Sequence, residues 1–174
     1  MDATSLKSGK QPVGATRAVA TFVIPIAKTP HLKQQPARGS WQGSSLGLPA
    51  LELGALIRNI EKGIPFGALT HLAESTGLTV DQLSNLIQIP ARTLARRRQA
   101  GKFDAVESER LVTVATVFER AFALFDGGRK QAVEWLLQPK KALNGETPLT
   151  YCRTSLGARE VENLIGRLEH GVFS

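Results

Sequence analysis

Arg92, Thr93, Arg96 and Arg97 are the side chains of this 174-residue chain whose types and spacing best suit a chemical task. At about 100° per residue they share one face of a helix, with Ala91, Leu94, Ala95 and Arg98 on the other. Guanidinium forks match phosphate oxygens and the O6/N7 edge of guanine, so this face suits contact with DNA. A charge run on a helix is often only a solvated face. What argues for more is the element just before it.

In that element Val80, Leu83, Leu86 and Ile87 fall in one arc at helical spacing, and Thr79 with Gln82 forms a capping-box pattern. Pro90 cannot continue the helix but suits the first turn of the next, which places a corner near Ile89. Residues 79–101 are therefore predicted to form a helix-turn-helix. Two helices would brace it: residues 51–62, with Leu53, Leu56, Ile57 and Ile60 before Gly63, and residues 66–76, with Leu69, Leu72 and Ala73 before Gly77.

Asp104 and Glu107 make a second capping-box start, for a long helix carrying Leu111, Val114, Ala115, Val117, Phe118, Ala121, Phe122 and Phe125. That band is too wide for one neighbour, so the helix is expected between two layers or in a dimer interface. Asp126-Gly127-Gly128 stops it. A helix over residues 129–138 follows, with Trp135 as a core anchor. Leu143-Asn144-Gly145 forms a turn, and Thr147-Pro148 starts another short helix. The last helix, residues 154–169, places Ala158, Val161, Leu164, Ile165 and Leu168 on one face. Arg159, Glu160, Glu162, Asn163, Arg167 and His170 take the other. Gly171 ends it, leaving Val172, Phe173 and Ser174 as a terminal peptide.

The formal net charge of +7 is concentrated at the front, where Lys7, Lys10, Arg17, Lys28, Lys33 and Arg38 stand against Asp2 alone before residue 51. The rest is close to balance, so the DNA-binding case rests on local clustering. Residues 1–48 are rich in Lys, Gln, Gly, Ser and Pro and read as a mostly disordered, flexible basic tail, apart from an apolar stretch at 21–26 that suits a short strand or a docking segment. Gly43, Ser44, Ser45, Leu46 and Gly47 fit the GxSxG pattern, but without a flanking strand and helix they read as linker. The single Cys152 excludes an intramolecular disulfide, and three scattered histidines give no metal spacing. No phosphate loop or membrane span is present, and Glu107 and Glu109 are ordinary first-turn acids. The expectation is an all-α, cytoplasmic protein that is neither an enzyme nor a cofactor carrier. Its divisions are a tail over 1–48, a helix-turn-helix bundle over 49–103 and a small helical domain over 104–174.

The second half also carries a sequence of motifs in fixed order. These are Glu107-Ser108-Glu109-Arg110-Leu111, then Trp135-Leu136 with Pro139, then Ala142-Leu143-Asn144-Gly145-Glu146-Thr147-Pro148-Leu149, then Leu156-Gly157-Ala158-Arg159-Glu160-Val161-Glu162, and finally Glu169-His170-Gly171-Val172-Phe173-Ser174. With Arg92-Thr93-Leu94-Ala95-Arg96-Arg97, they make residues 51–174 resemble the Xre/MbcA/ParS-type antitoxins. The resemblance implies an Xre-like helix-turn-helix that binds operator DNA and represses its own operon, usually as a homodimer. It also implies a C-terminal domain that binds a RES-domain toxin, an NAD⁺-consuming enzyme. Toxin binding is then expected at Arg159, Glu160, Glu162, Arg167, Gly171, Val172, Phe173 and Ser174, and DNA binding at Arg92, Thr93, Arg96 and Arg97. The competing reading is a helix-turn-helix transcription regulator with a C-terminal sensor or dimerisation domain.

Overall fold

Helix-forming segments bounded by local caps and glycines dictate an α-helical chain, and the computed structural model, which describes residues 40–41 and 43–171, has that architecture. Of the tail expected over residues 1–48, residues 1–39, with the apolar stretch at 21–26, lie outside the described residues, as do the terminal Val172, Phe173 and Ser174. The helices are α1 (Leu53–Lys62), α2 (Gly67–Thr76), α3 (Val80–Leu86), α4 (Ala91–Ala100), α5 (Ala105–Leu124), α6 (Arg129–Leu137), α7 (Pro148–Tyr151) and α8 (Ser155–Glu169). Short 3-10 turns occupy Ser44–Leu46 and Lys141–Leu143.

The wide apolar band of α5 is spent inside the chain. α1, α2, α6, α8 and the Ser44–Leu46 turn all pack on this helix. Leu111, Val114, Ala115, Val117, Phe118 and Ala121 are fully buried there. Of the two roles expected for the band, lying between layers is the one observed. Burying a side chain such as Phe118 contributes about 1.5 to 3 kcal/mol, and this row of them makes α5 the axis of the core.

Residues 43–48 are not the linker their composition suggested. The Ser45 backbone N–H and its Oγ both donate to Glu119 Oε1, at 3.1 and 2.8 Å, and Ser75 Oγ donates to the Ser45 carbonyl at 3.4 Å. Ser45 is thus a tether rather than a nucleophile. Leu46 beside it is 1% exposed and belongs to the core. A two-residue antiparallel ladder flanks this turn, with Ser40 opposite Glu52 and Trp41 opposite Leu51 in β1 (Ser40–Trp41) and β2 (Leu51–Glu52). Leu51, expected in the first helix, therefore precedes it.

A second tie joins the α1–α2 corner to the α4–α5 corner. Phe66 N–H donates to the Gly101 carbonyl at 2.8 Å and Phe103 N–H to the Ile64 carbonyl at 2.9 Å. Ile64 N–H donates to the buried Ser108 Oγ at 2.8 Å. The rings of Phe66 and Phe103 stack at 5.5 Å between centroids. The backbones approach so closely that a Cβ on Gly63, at φ 94°, would lie 2.2 Å from the Phe103 carbonyl oxygen.

Candidate nucleic-acid and partner interfaces

The presentation of α4 begins with its predecessor. Thr79 Oγ1 accepts from Gln82 N–H at 3.1 Å and Gln82 Oε1 accepts from Thr79 N–H at 2.8 Å, the reciprocal cap expected from their spacing. The chain leaves α3 through Gln88 at φ 57° and buries Ile89 in the corner. Pro90 is the N-cap of α4, with ψ at 148°, immediately before the first turn expected to hold it. α3 has already ended at Leu86, and the extended backbone of Pro90 redirects the chain into α4.

Leu94 faces the core, while Arg92 and Arg96 are exposed and Thr93 is half-buried. Arg97 departs from the expected outward face. Its side chain is 19% exposed and reaches α5, with Nε donating to Glu107 Oε2 and Nη2 to Asp104 Oδ2, each at 2.5 Å. The reason is its position beside two carboxylates. Arg97 lies about 60° from Leu94 around the helix, near enough to the packed side for the Asp104 and Glu107 carboxylates to draw it in. Those same carboxylates cap α5: Asp104 Oδ1 accepts from Glu107 N–H at 2.8 Å, and Glu107 Oε2 accepts from Asp104 N–H at 3.0 Å. The hydrogen bond that Arg97 donates to Glu107 leads the causes that raise the Arg97 pKa, so the clasp holds its cation. Ala91 and Ala95, expected to pack, are exposed. Arg98, also expected on the packing side, is exposed too, with its guanidinium 5.4 Å from the centre of the Phe66 ring.

In the second half Thr147 caps α7 ahead of Pro148, and Thr154 Oγ1 caps α8 by accepting from Gly157 N–H at 3.1 Å. A Cβ on Gly157 would lie 2.0 Å from the Tyr151 carbonyl oxygen, so glycine lets the two helices close up. Ala158, Val161, Leu164 and Ile165 are buried as the stripe on α8 requires, and α8 packs on α5 and α7.

The charged side of α8 is less open than its periodicity suggests. Arg159 is exposed, but Glu160, Glu162 and Arg167 are half-buried. Arg167 Nη2 donates to Glu160 Oε1 at 3.2 Å. Arg120 of α5, which the sequence did not single out, reaches across with its Nη2 3.9 Å from Glu169 Oε2. These contacts come from laying α8 along α5, a pairing that one helix's periodicity does not reveal. Gly171 is exposed at φ 66°, and Val172, Phe173 and Ser174 lie outside the described residues.

At the helix-turn-helix corner Arg110 Nη1 donates to the Ile87 carbonyl at 3.5 Å, and Gln88 Nε2 donates to the Arg153 carbonyl at 2.6 Å. Cys152 beside it is buried, and burial, aided by the nearby Glu162 charge, pushes its thiol up to about 12. The thiol therefore stays protonated and unreactive.

A helix-turn-helix joined through one long helix to a second helical module defines the class. Family models agree with both halves: the antitoxin Xre-like helix-turn-helix domain matches residues 55–116, and the antitoxin Xre/MbcA/ParS C-terminal toxin-binding domain matches residues 120–171. Neither describes an enzyme. The chain is 36% identical over 138 residues to Antitoxin Xre of Yersinia enterocolitica, covering 79% of this chain and 92% of that one. It is 30% identical over 131 residues to Antitoxin Xre of Photorhabdus laumondii, covering 75% and 88%. The chain belongs to the Xre family of antitoxins. As such it is a toxin–antitoxin component with a helix-turn-helix, for which a toxin and DNA are the implied partners. No helix among the described residues is long and apolar enough to cross a membrane.

Proposed function

We propose that this antitoxin binds and inhibits a RES-domain, NAD⁺-consuming toxin in the cytoplasm and represses its own operon through α4. The observation that carries this reading is the division of surfaces on one frame. Arg92 and Arg96 are exposed on the second helix of the helix-turn-helix, while a separate set of charges lies on α8. Thr93 borders the DNA face, and Arg97 serves it by holding α4 in place. Arg159, Glu160, Glu162, Arg167 and the peptide from Gly171 through Val172, Phe173 and Ser174 are assigned to the toxin. Co-expression with a RES-domain reading frame beside its own gene tests this: growth and cellular NAD⁺ should be preserved and the two proteins should co-purify. Growth arrest despite expression of both would refute it.

The reading includes a homodimer, because one helix-turn-helix reads too few base pairs for useful specificity. Since α5 spends its apolar band internally, the surface assigned to the dimer is on α1, where Leu53 and Ile57 lie one turn apart, 60% and 47% exposed. Light scattering at micromolar concentration should give twice the chain mass, and Ile57→Glu should give a folded monomer. A wild-type monomer that still binds a palindromic operator tightly would contradict the assignment.

A further inference from the structure

α8 contains two interior glycines, at 157 and 166, and glycine weakens a helix relative to alanine. Gly157 has a packing reason, the Tyr151 carbonyl oxygen 2.0 Å from where its Cβ would be. Gly166 has none. A Cβ there would meet only Arg120 Nη2 at 3.9 Å, an ordinary contact. What its bare backbone leaves is a shallow groove between α5 and α8, lined by Arg120, Glu162, Asn163, Gly166, Arg167 and His170.

The charges in that groove are unequally matched. Arg120 is near Glu169 and Arg167 is bonded to Glu160. Glu162 is half-buried and forms neither a hydrogen bond nor a close ion pair among the described residues, and only the fields of Arg120 and Arg159 favour its charge. A carboxylate withdrawn from water without donors is unfavourable, and burial raises its pKa. The two lining arginines have carboxylates beside them, so the unused group is an acceptor. Its complement is a basic side chain.

We infer that the α5–α8 groove receives an arginine or lysine side chain of the toxin, with Glu162 as its counter-charge and the missing side chain of Gly166 as its space. This rests on the antitoxin reading above and adds to it the chemistry of the contact. Gly166 and Arg120, one supplying room and the other a wall, join the toxin-binding set. Glu162 acts as an anchor rather than as one charge of a solvated face.

The test uses the full chain and the purified RES toxin, with affinity measured by calorimetry. Removing one member of a desolvated, hydrogen-bonded charge pair should weaken binding by about 30-fold or more, so Glu162→Gln should show at least that loss. Gly166→Leu should also weaken it while the melting temperature holds or rises, because leucine is the better helix former. Gly166→Ala, whose Cβ the fold accommodates, should melt no lower than wild type and bind less tightly. Promoter binding should be unchanged in all three. If the wild type binds the toxin and these variants bind equally well, the groove is not the contact and the antitoxin reading stands. If the wild type does not bind a RES toxin at all, both fall.

Discussion

Gly63→Ala should destabilise the protein by about 3 kcal/mol or more, combining a disfavoured backbone with a collision that has no exit. At φ 94° an alanine is strained by itself, and its Cβ would stand 2.2 Å from a backbone oxygen rather than from a side chain that can swing away. Neither strand can yield easily. Ile64, Phe66 and Phe103 are held by three hydrogen bonds across the junction, and Phe103 is fully buried. Gly77→Ala is the control: its φ is 72° but nothing lies within 4 Å of the added carbon, so only the backbone strain remains, about 1 kcal/mol. Urea unfolding followed by circular dichroism compares them. Equal midpoints for the two variants would show that the junction at Phe103 is softer than its geometry implies.

Arg96→Ala and Arg97→Ala should both lose operator binding, for different reasons that can be separated. Arg96 is exposed, so its removal should leave the melting temperature alone and weaken the operator complex by about 1 to 3 kcal/mol if it reads a base. A phosphate contact instead would weaken binding to all sequences alike and lower the salt slope by about one. Arg97→Ala should lose at least as much operator affinity and lower the melting temperature, because Glu107, 8% exposed, is left with its charge unmatched and α4 loses its clasp to α5. Glu107→Gln should reproduce part of that loss without touching any arginine. Wild-type stability in Arg97→Ala, with a reduced salt slope, would return Arg97 to the DNA.

The features legible in the sequence are those written within one or two helical turns. Thr79 with Gln82 and Asp104 with Glu107 close their caps over three residues, Thr147-Pro148 starts α7, and Gly101 ends α4 at φ 74°, so the all-α fold and its helix boundaries follow from local chemistry. The directions of side chains that meet partners from elsewhere are not written that way. Arg97 turns inward because two carboxylates beyond the Gly101 corner await it, and α8 shares its charged side with Arg120 from a helix that ends thirty residues earlier. Ser45 and Leu46 read as linker because the group that fixes them, Glu119, lies 74 residues from Ser45. Composition had no means of disclosing that tether.

The regions matched by the two family models meet inside α5, between residues 116 and 120, with no loop between them. A seam cut there passes through Val117 and Phe118, both fully buried. Halves of two relatives are therefore not interchangeable cassettes. A graft that brings in a foreign toxin-binding half also brings half of the rod on which α1, α2 and the Ser44–Leu46 turn rest, and the two lineages' core side chains must interlock along it. Recombinants that take α5 whole from one parent, together with the residues that face it, should survive where mid-helix crossovers are lost, so exchange of toxin specificity within this architecture is constrained by the grain of a single helix.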